Sequence, residues 1–438
     1  MEIPIQVATA LDILEAAGYD AYLVGGCVRD ALIGRAVSDY DITTSADPSE
    51  VESAFASYKV IETGIKHGTV TVLIDSLPIE ITTFRVDGDY RDLRHPERVS
   101  FSTNIEDDLA RRDFTVNSMA MDKRGAIIDP YGGEDDAKRG IIRCTGDPDV
   151  RFNEDALRII RALRFASVLG FSVERGTAES IHKNCKLLEK ISVERVFSEL
   201  KKLLCGKNVY NVLIDFSDVI CTVIPELAPA VNFDHKSRYH IYDIYTHIAK
   251  TVENVEPDET LRLTMLFHDI GKPYSFTEEE GVRHYKGHPQ VSAEIARARL
   301  EALHSDAETR RIVPLLCSVH DRTIAPTEKS VKKLFRTLTY DEIIMLCKVQ
   351  TADAKAHAAD SRERAKNAVV IMEIADEIRR AGDAVAVKDL AVNGFDLMKL
   401  GYEGKSIGEA LERILDLVIG DELPNEKDRI LEYLKQTR

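Results

Sequence analysis

Residues 22–44, YLVGGCVRDALIGRAVSDYDITT, decide the fold of the N-terminal part of this chain. Leu23 and Val24 close an apolar run, and Gly25-Gly26 then lets the backbone approach a ligand that a Cβ would block. Val28 to Ile33 reads as a short helix whose N-terminal amides, with Arg29, face an anion such as a triphosphate. The chain re-enters as a strand at Asp39-Tyr40-Asp41, where the two-residue period puts both carboxylates on one face and Tyr40 opposite. Two acids on one face can hold Mg2+. Gly-Gly before a helix is most often a plain turn, and an isolated D-x-D is usually a solvated strand end. Within about twenty residues of each other, with Arg29 between, they describe a phosphate and cation site.

Outward from that stretch, the 438 residues exceed one ordinary core and divide into several domains. With 44% apolar and 30% charged residues, the composition is that of a soluble globular protein. No apolar run approaches the ~20 residues that span a bilayer, and Met1 to Ala10 lacks a basic region followed by a hydrophobic stretch, so a cytoplasmic location without membrane contact is expected. Seven scattered cysteines without a C-x-x-C pair indicate reduced thiols, with neither a disulfide framework nor a zinc knuckle. A formal charge of −16 argues superficially against a nucleic-acid partner. The distribution reverses that: residues 138–207 hold fifteen Lys plus Arg against nine Asp plus Glu, a local balance of +6 that leaves −22 for the rest. A basic middle between acidic ends suits a chain that grips a polyanion at one place.

The head mixes short strands (21–24, 40–43, 69–74, 79–85) with helices (5–17, 48–57, 107–121). Asp47-Pro48-Ser49-Glu50 signals a helix start through a cap, a first-turn proline and a box glutamate. After Gly146 the pattern is almost wholly helical, with no useful two-residue alternation. Glu80, between Ile79 and Ile81, faces either solvent or the metal site. Arg85–Ser100, rich in Gly, Asp and Arg, reads as a mobile surface loop. On a helix over 107–121, Asp113 and Asn117 share a face at i and i+4; on one over 153–170, Asp155 and Arg158 are neighbours, with Arg161 and Arg164 continuing the row.

GGxVRD followed by D-x-D resembles the head of the class II tRNA nucleotidyltransferases, the CCA-adding enzymes and their bacterial poly(A) polymerase relatives. The resemblance implies an α+β fold in which a small mixed-sheet head (1–138) precedes an all-α remainder: a basic neck (139–207), a body (208–360) and a tail (361–438) that contacts tRNA. The reaction implied is stepwise addition of CMP, CMP and AMP from CTP and ATP to the tRNA 3′ end. Asp39 and Asp41 would coordinate two Mg2+ ions, with Glu80 orienting or deprotonating the attacking hydroxyl. Gly25, Gly26, Arg29 and an arginine of the Arg111-Arg112 pair would hold the triphosphate. The RRDFT-x-N match assigns Asp113 and Asn117 to the ribose. The E-D-x-x-R match makes Asp155 and Arg158, followed by Arg161 and Arg164, a protein template for the base, because a carboxylate accepts the exocyclic amine of C or A while a guanidinium donates. The 85–100 loop resembles the one that accompanies terminal A addition.

Further along, His247, His268-Asp269 in LFHDIGKP, His288, His320-Asp321 and Asp353 fall in the order H…HD…H…HD…D. That order resembles an HD-type metallophosphohydrolase, in the subset with histidines for a second metal, and its ligand types suit Mn2+, Fe2+, Ni2+ or Zn2+. Three rivals stay open on the sequence: a poly(A) polymerase or A-adding enzyme with the same site, an HD phosphodiesterase or phosphatase as the main activity, and a non-catalytic RNA-binding protein.

Overall fold

The computed structural model describes residues 3–65, 68–88, 99–236, 241–357 and 362–437. Most of the 85–100 loop, and with it the expectation about terminal A addition, lies outside the described residues. The chain forms two units, Met1–Ala228 and Pro229–Arg438.

In the first unit, α1 (Ile5–Ala16), β1 (Ala21–Val24), α2 (Gly26–Leu32), β2 (Asp41–Thr44), α3 (Pro48–Ala54), β3 (Lys59–Gly64), β4 (Thr69–Ile74) and β5 (Leu77–Thr83) precede a short pair, β6 (Arg85–Asp87) and β7 (Val99–Phe101). Then come α4 (Ile105–Ala110), β8 (Ala120–Met121), β9 (Ile127–Ile128), α5 (Gly133–Arg139), α6 (Pro148–Glu154) and α7 (Leu157–Leu169). The sheet runs β3-β4-β5-β2-β1-β8-β9; β2 and β5 are parallel and every other pair is antiparallel, so the expected mixed sheet is present. Alternation along β5 buries Ile79, Ile81 and Thr83 and leaves Glu80 on the opposite face. Leu11, Leu14, Val51 and Phe55 from α1 and α3 pack with Leu23, Ile42, Val72, Ile79 and Ile81, which anchors that face of the sheet. The capping box at α3 is closed: the Glu50 amide donates to Asp47 Oδ1 at 2.9 Å and the Asp47 amide to Glu50 Oε2 at 2.8 Å.

Two expected helices are broken, each for a visible reason. The reading of 107–121 as one helix is corrected: α4 ends at Ala110, and a 3-10 turn over Thr115–Asn117 leads into β8. Phe114 is drawn into an antiparallel bridge with Cys144, which no continuous helix allows. The reading of 153–170 as one helix is likewise corrected, because Asp155 is extended (φ −136°, ψ 100°) between α6 and α7, and its Oδ1 accepts the Leu157 amide at 3.1 Å. α7 then buries Ile159, Ile160 and Leu163 and packs on the helix Val193–Leu204, with Ser167 Oγ donating to Leu203 O at 2.7 Å.

The second unit is helical, built on Ile244–Asn254, Glu259–Phe267, His288–Ala302, Ala307–Val319, Tyr340–Ala356 and Arg362–Ala381. Leu316, Val331, Ile343, Leu346, Ile371 and Ile378 form one core, and Leu397, Leu411, Ile414, Ile430 and Leu434 a smaller one at the C-terminal end. A short hairpin, Thr277–Glu279 with Val282–His284, was not expected; six mostly exposed residues give it little apolar alternation to read. Gly271 shows why HDIGKP carries a glycine: a Cβ there would stand 2.6 Å from the Ser292 amide nitrogen.

Candidate active site and candidate metal centre

The chain leaves the sheet at Val24 and returns at Asp41, which is Val24's register partner, so the Gly25-Gly26 turn and the first acid of β2 meet at one end of the sheet. Gly25 has φ +72°, and a Cβ on it would stand 3.0 Å from Arg112 Nη1; glycine is what lets that guanidinium lie against the turn. Gly25, Gly26, Arg29 and Asp41 share a cavity of about 460 Å3. Glu80 is paired with Asp41 across parallel β2 and β5, which sets two carboxylates side by side. Partial burial, then Glu80, pushes the Asp41 pKa up against the pull of Arg112, and Asp39 adds to the rise. Asp39 departs from expectation. It lies two residues before β2, is exposed, and its Oδ2 accepts the Ser38 hydroxyl at 3.0 Å.

Seven arginines line this cavity against three acids: Arg29, Arg85, Arg111, Arg112, Arg158, Arg161 and Arg195 against Asp41, Asp113 and Asp155. Arg111, Arg112, Arg158 and Arg161 are fixed in position by acids behind them. Asp108, fully buried, takes Arg111 on one oxygen (2.9 and 2.6 Å) and Arg112 on the other (3.3 and 3.1 Å). Burial opposes its charge, yet the two guanidinium groups hold its pKa below the usual range. Asp113 works the same way: against burial, Arg161 (3.0 and 2.6 Å) and the Asn117 amide (3.0 Å) hold it far below an ordinary carboxylate. Asn117 Oδ1 in turn accepts Arg29 Nη1, so one chain of bonds ties the turn helix to α7 through Asp113.

Asp155 and Arg158 both line the cavity, but not as an ion pair. Arg158 pairs with Glu154 at 2.9 Å and donates to the Arg111 and Arg151 carbonyls at 3.1 and 3.2 Å. Glu154 also holds Arg151, which reaches the Arg111 and Arg112 carbonyls. Arg164 turns away from the expected row to Glu199 at 2.9 Å. Its neighbour Phe165 sits among three guanidinium groups, those of Arg164, Arg29 and Arg161 at 3.9, 5.2 and 5.4 Å from the ring centroid. Asp108, Arg151, Glu154 and Phe165 went unread. Glu154 opens the E-D-x-x-R motif itself, whereas no spacing rule marks Phe165.

In the second unit, His247, His268, Asp269, His288, His320 and Asp353 are all buried and converge. Asp269 lies 3.2 to 3.6 Å from Nε2 of His247, His268, His288 and His320, and 2.6 Å from Lys272 Nζ. Asp353 takes His247 at 3.1 Å. Two enclosed carboxylates demand positive charge. Burial disfavours a protonated His268, but Asp269 and Asp353 outweigh it and push its pKa up to about 10, while both acids are held well below the usual range. Asp321 is corrected: it is exposed, pairs with Arg364 at 3.3 Å and joins none of the potential ligand groups. His357 and His235 were missed. His357 completes a group with His247 and Asp353, and His235 stands edge-on to His247 with ring centroids 5.7 Å apart.

Three family descriptions match: Poly A polymerase head domain over residues 21–143, Probable RNA and SrmB- binding site of polymerase A over 170–229, and tRNA nucleotidyltransferase domain 2 over 300–434. A CCA-adding enzyme of Lactobacillus helveticus (strain DPC 4571) is 35% identical over 99% of this chain and 97% of its own length. One from Lactobacillus delbrueckii subsp. bulgaricus is 48% identical over 230 residues, 52% of this chain; the chain spans 57% of that relative's length in the match. The crystal structure of the Bacillus stearothermophilus CCA-adding enzyme in complex with CTP superposes with a TM-score of 0.74 at 29% identity, covering 100% of this chain and 98% of that one. No helix among the described residues is long and apolar enough to cross a membrane.

Proposed function

The chain belongs to the family of CCA-adding enzymes, and from that premise we propose that its first unit adds CMP, CMP and AMP, from CTP and ATP, to the 3′ end of tRNA. The observation that supports this best is the pairing of Asp41 with Glu80 on adjacent parallel strands beside a cavity walled by seven arginines. Such a site takes a triphosphate on one side and a cation on the other.

In the reaction, the tRNA 3′-oxygen bonds to the α-phosphorus, the bond from that phosphorus to the bridging oxygen breaks, and pyrophosphate leaves. Family members use divalent metal, and this site fits one, because burial and the neighbouring Glu80 charge both raise Asp41, and a cation would relieve both. Asp41 and Glu80, with Asp39 by resemblance, would hold Mg2+, which would lower the pKa of the hydroxyl and neutralise pyrophosphate. Arg29, Arg111 and Arg112 offer donors fixed in advance where charge grows on the departing phosphates. Asp113 and Asn117 stand beside them to receive the ribose. Arg158 is already braced from behind by Glu154 and two carbonyls, a stiff arrangement for reading a base edge together with Asp155.

A trimmed tRNA with labelled CTP and ATP, given singly and together, tests this reading. Two C residues from CTP alone and a full CCA end from both are expected; long A tails without CTP would show a poly(A) polymerase instead. The cluster around Asp269 favours a second activity in the same chain, an HD-type phosphohydrolase site holding a transition metal such as Mn2+, Fe2+, Ni2+ or Zn2+.

A further inference from the structure

The imidazoles of the second unit share one orienting device. Nδ1 of His268, His288 and His320 each donates to a main-chain carbonyl three residues back, Met265 O, Tyr285 O and Cys317 O, at 2.7, 2.8 and 2.7 Å. That bond fixes the ring and leaves Nε2 as the atom that can bind a metal once unprotonated. His357 does the same. Its Nδ1 lies 3.0 Å from Asp353 O, four residues back, at the point where the helix Tyr340–Ala356 ends and the backbone turns extended.

The helical spacing of four puts His357 over Asp353, with the rings of His357 and His247 4.9 Å apart. His247, Asp353 and His357 bring one donor atom each to within 4.8 Å of one another, as do Asp269, His288 and His320. Both triplets consist of imidazole and carboxylate. Metal–ligand bonds of ~2.0–2.2 Å place donors roughly 3–4 Å apart, so each triplet needs only a small closure to grasp an ion. His357 also lines the cavity of about 640 Å3 that Asp269, His288 and His320 line.

We propose that His357 is a metal ligand, completing with His247 and Asp353 one cation position of the cluster while Asp269, His288 and His320 supply another. This rests on the reading of the cluster as a metal site, and it extends that site beyond the H…HD…H…HD…D pattern. The ions are divalent transition metals of the Mn2+, Fe2+, Ni2+ or Zn2+ class.

The test uses full-length protein stripped with a chelator and titrated with Mn2+ alone, reading stoichiometry by elemental analysis and affinity by calorimetry. Two Mn2+ per chain are expected for the wild type. His357→Ala should lose one or weaken it by at least about 10–100-fold, the scale seen when even outer-shell partners are removed, and should keep the other. His288→Ala should lose the complementary ion, and the double variant both. Wild-type stoichiometry and affinity in His357→Ala would overturn the proposal and leave the metal-site reading standing. A wild type that takes up no Mn2+ would bring down both. Should circular dichroism show His357→Ala unfolded, His357→Gln keeps the bulk and is judged by the same criterion.

Discussion

The chain carries two sets of paired carboxylates, and they are neutralised in opposite ways. In the head, Asp41 lies beside Glu80, and burial followed by the Glu80 charge pushes it up against the pull of Arg112, while Arg111 and Arg112 pair with Asp108 and Arg161 with Asp113. In the body, Asp269 and Asp353 are caged by imidazoles and Lys272 and are held far down. On the proposed reading, the head would take a cation that arrives with its nucleotide, its arginines facing the phosphates. The body holds a proton on His268 where a metal could replace it, which suits a resident ion.

The sharpest way to break this comparison is a crossed pair of variants. Asp41→Asn removes a carboxylate from the transfer site, where charge stabilisation by a bound ion is worth several kcal/mol, so nucleotide addition should fall by about 10^3-fold or more while Mn2+ uptake by the body stays unchanged. His268→Ala with Asp269→Ala should reverse the pattern: no Mn2+ retained, transfer to trimmed tRNA intact. If either variant lost both properties, the two sites would not be independent. Next in size is Asp108→Asn. It strips a buried anion from two guanidinium groups, and the expected cost is about 3–5 kcal/mol in urea unfolding of the full chain. A loss below 1 kcal/mol would show that the arginines are not held as described.

A pH series on chelated protein tests the body from the other side. The His268 pKa, raised from its ordinary 6.5 to about 10, contributes stability that is fully present below 6.5 and is lost as pH climbs through 10. The depressed carboxylates contribute stability present above their ordinary ~3.9 and lost on acidification below it. Burial lowers the His320 and His357 pKa values, so their contribution is lost below 6.5, and melting temperature without metal should be highest near about pH 6.5 and fall toward pH 10. Saturating Mn2+ should flatten the alkaline slope, because a ligating imidazole carries no such proton. A metal-free protein equally stable at pH 6 and pH 9.5 would contradict the caged-proton picture.

What could be read from the residues alone follows from how local each signal is. The double-glycine turn, the Asp47–Glu50 box and the alternation around Glu80 depend on neighbours within a few positions, and they stand where their spacing put them. The breaks inside 107–121 and 153–170 escape that reading: one comes from Phe114 bridging to Cys144, the other from an extended Asp155 that caps the helix after it. The first segment is helix sequence overridden by a distant partner, the second by a local bond in which the Leu157 amide donates to the Asp155 side chain. The arginines were legible as a set, but which acid holds each was not, because Asp108, Asp113 and Glu199 reach them across 3 to 48 residues. His357 escaped because its place in the cluster is visible only once the cluster exists.

The smallest expected effect separates motif from geometry. His320-Asp321 repeats the dipeptide of His268-Asp269, yet only the first aspartate is enclosed by imidazoles; Asp321 stands in solvent against Arg364. An exposed ion pair contributes at most about 1 kcal/mol, and Arg364 keeps two other partners, Asp353 at 3.4 Å and the His320 carbonyl, when Asp321 is removed. Asp321→Ala should accordingly leave Mn2+ stoichiometry at the wild-type value and shift unfolding by less than about 0.5 kcal/mol. Loss of an ion in this variant would make Asp321 a ligand after all, and would mean that the loop after His320 closes inward when metal binds.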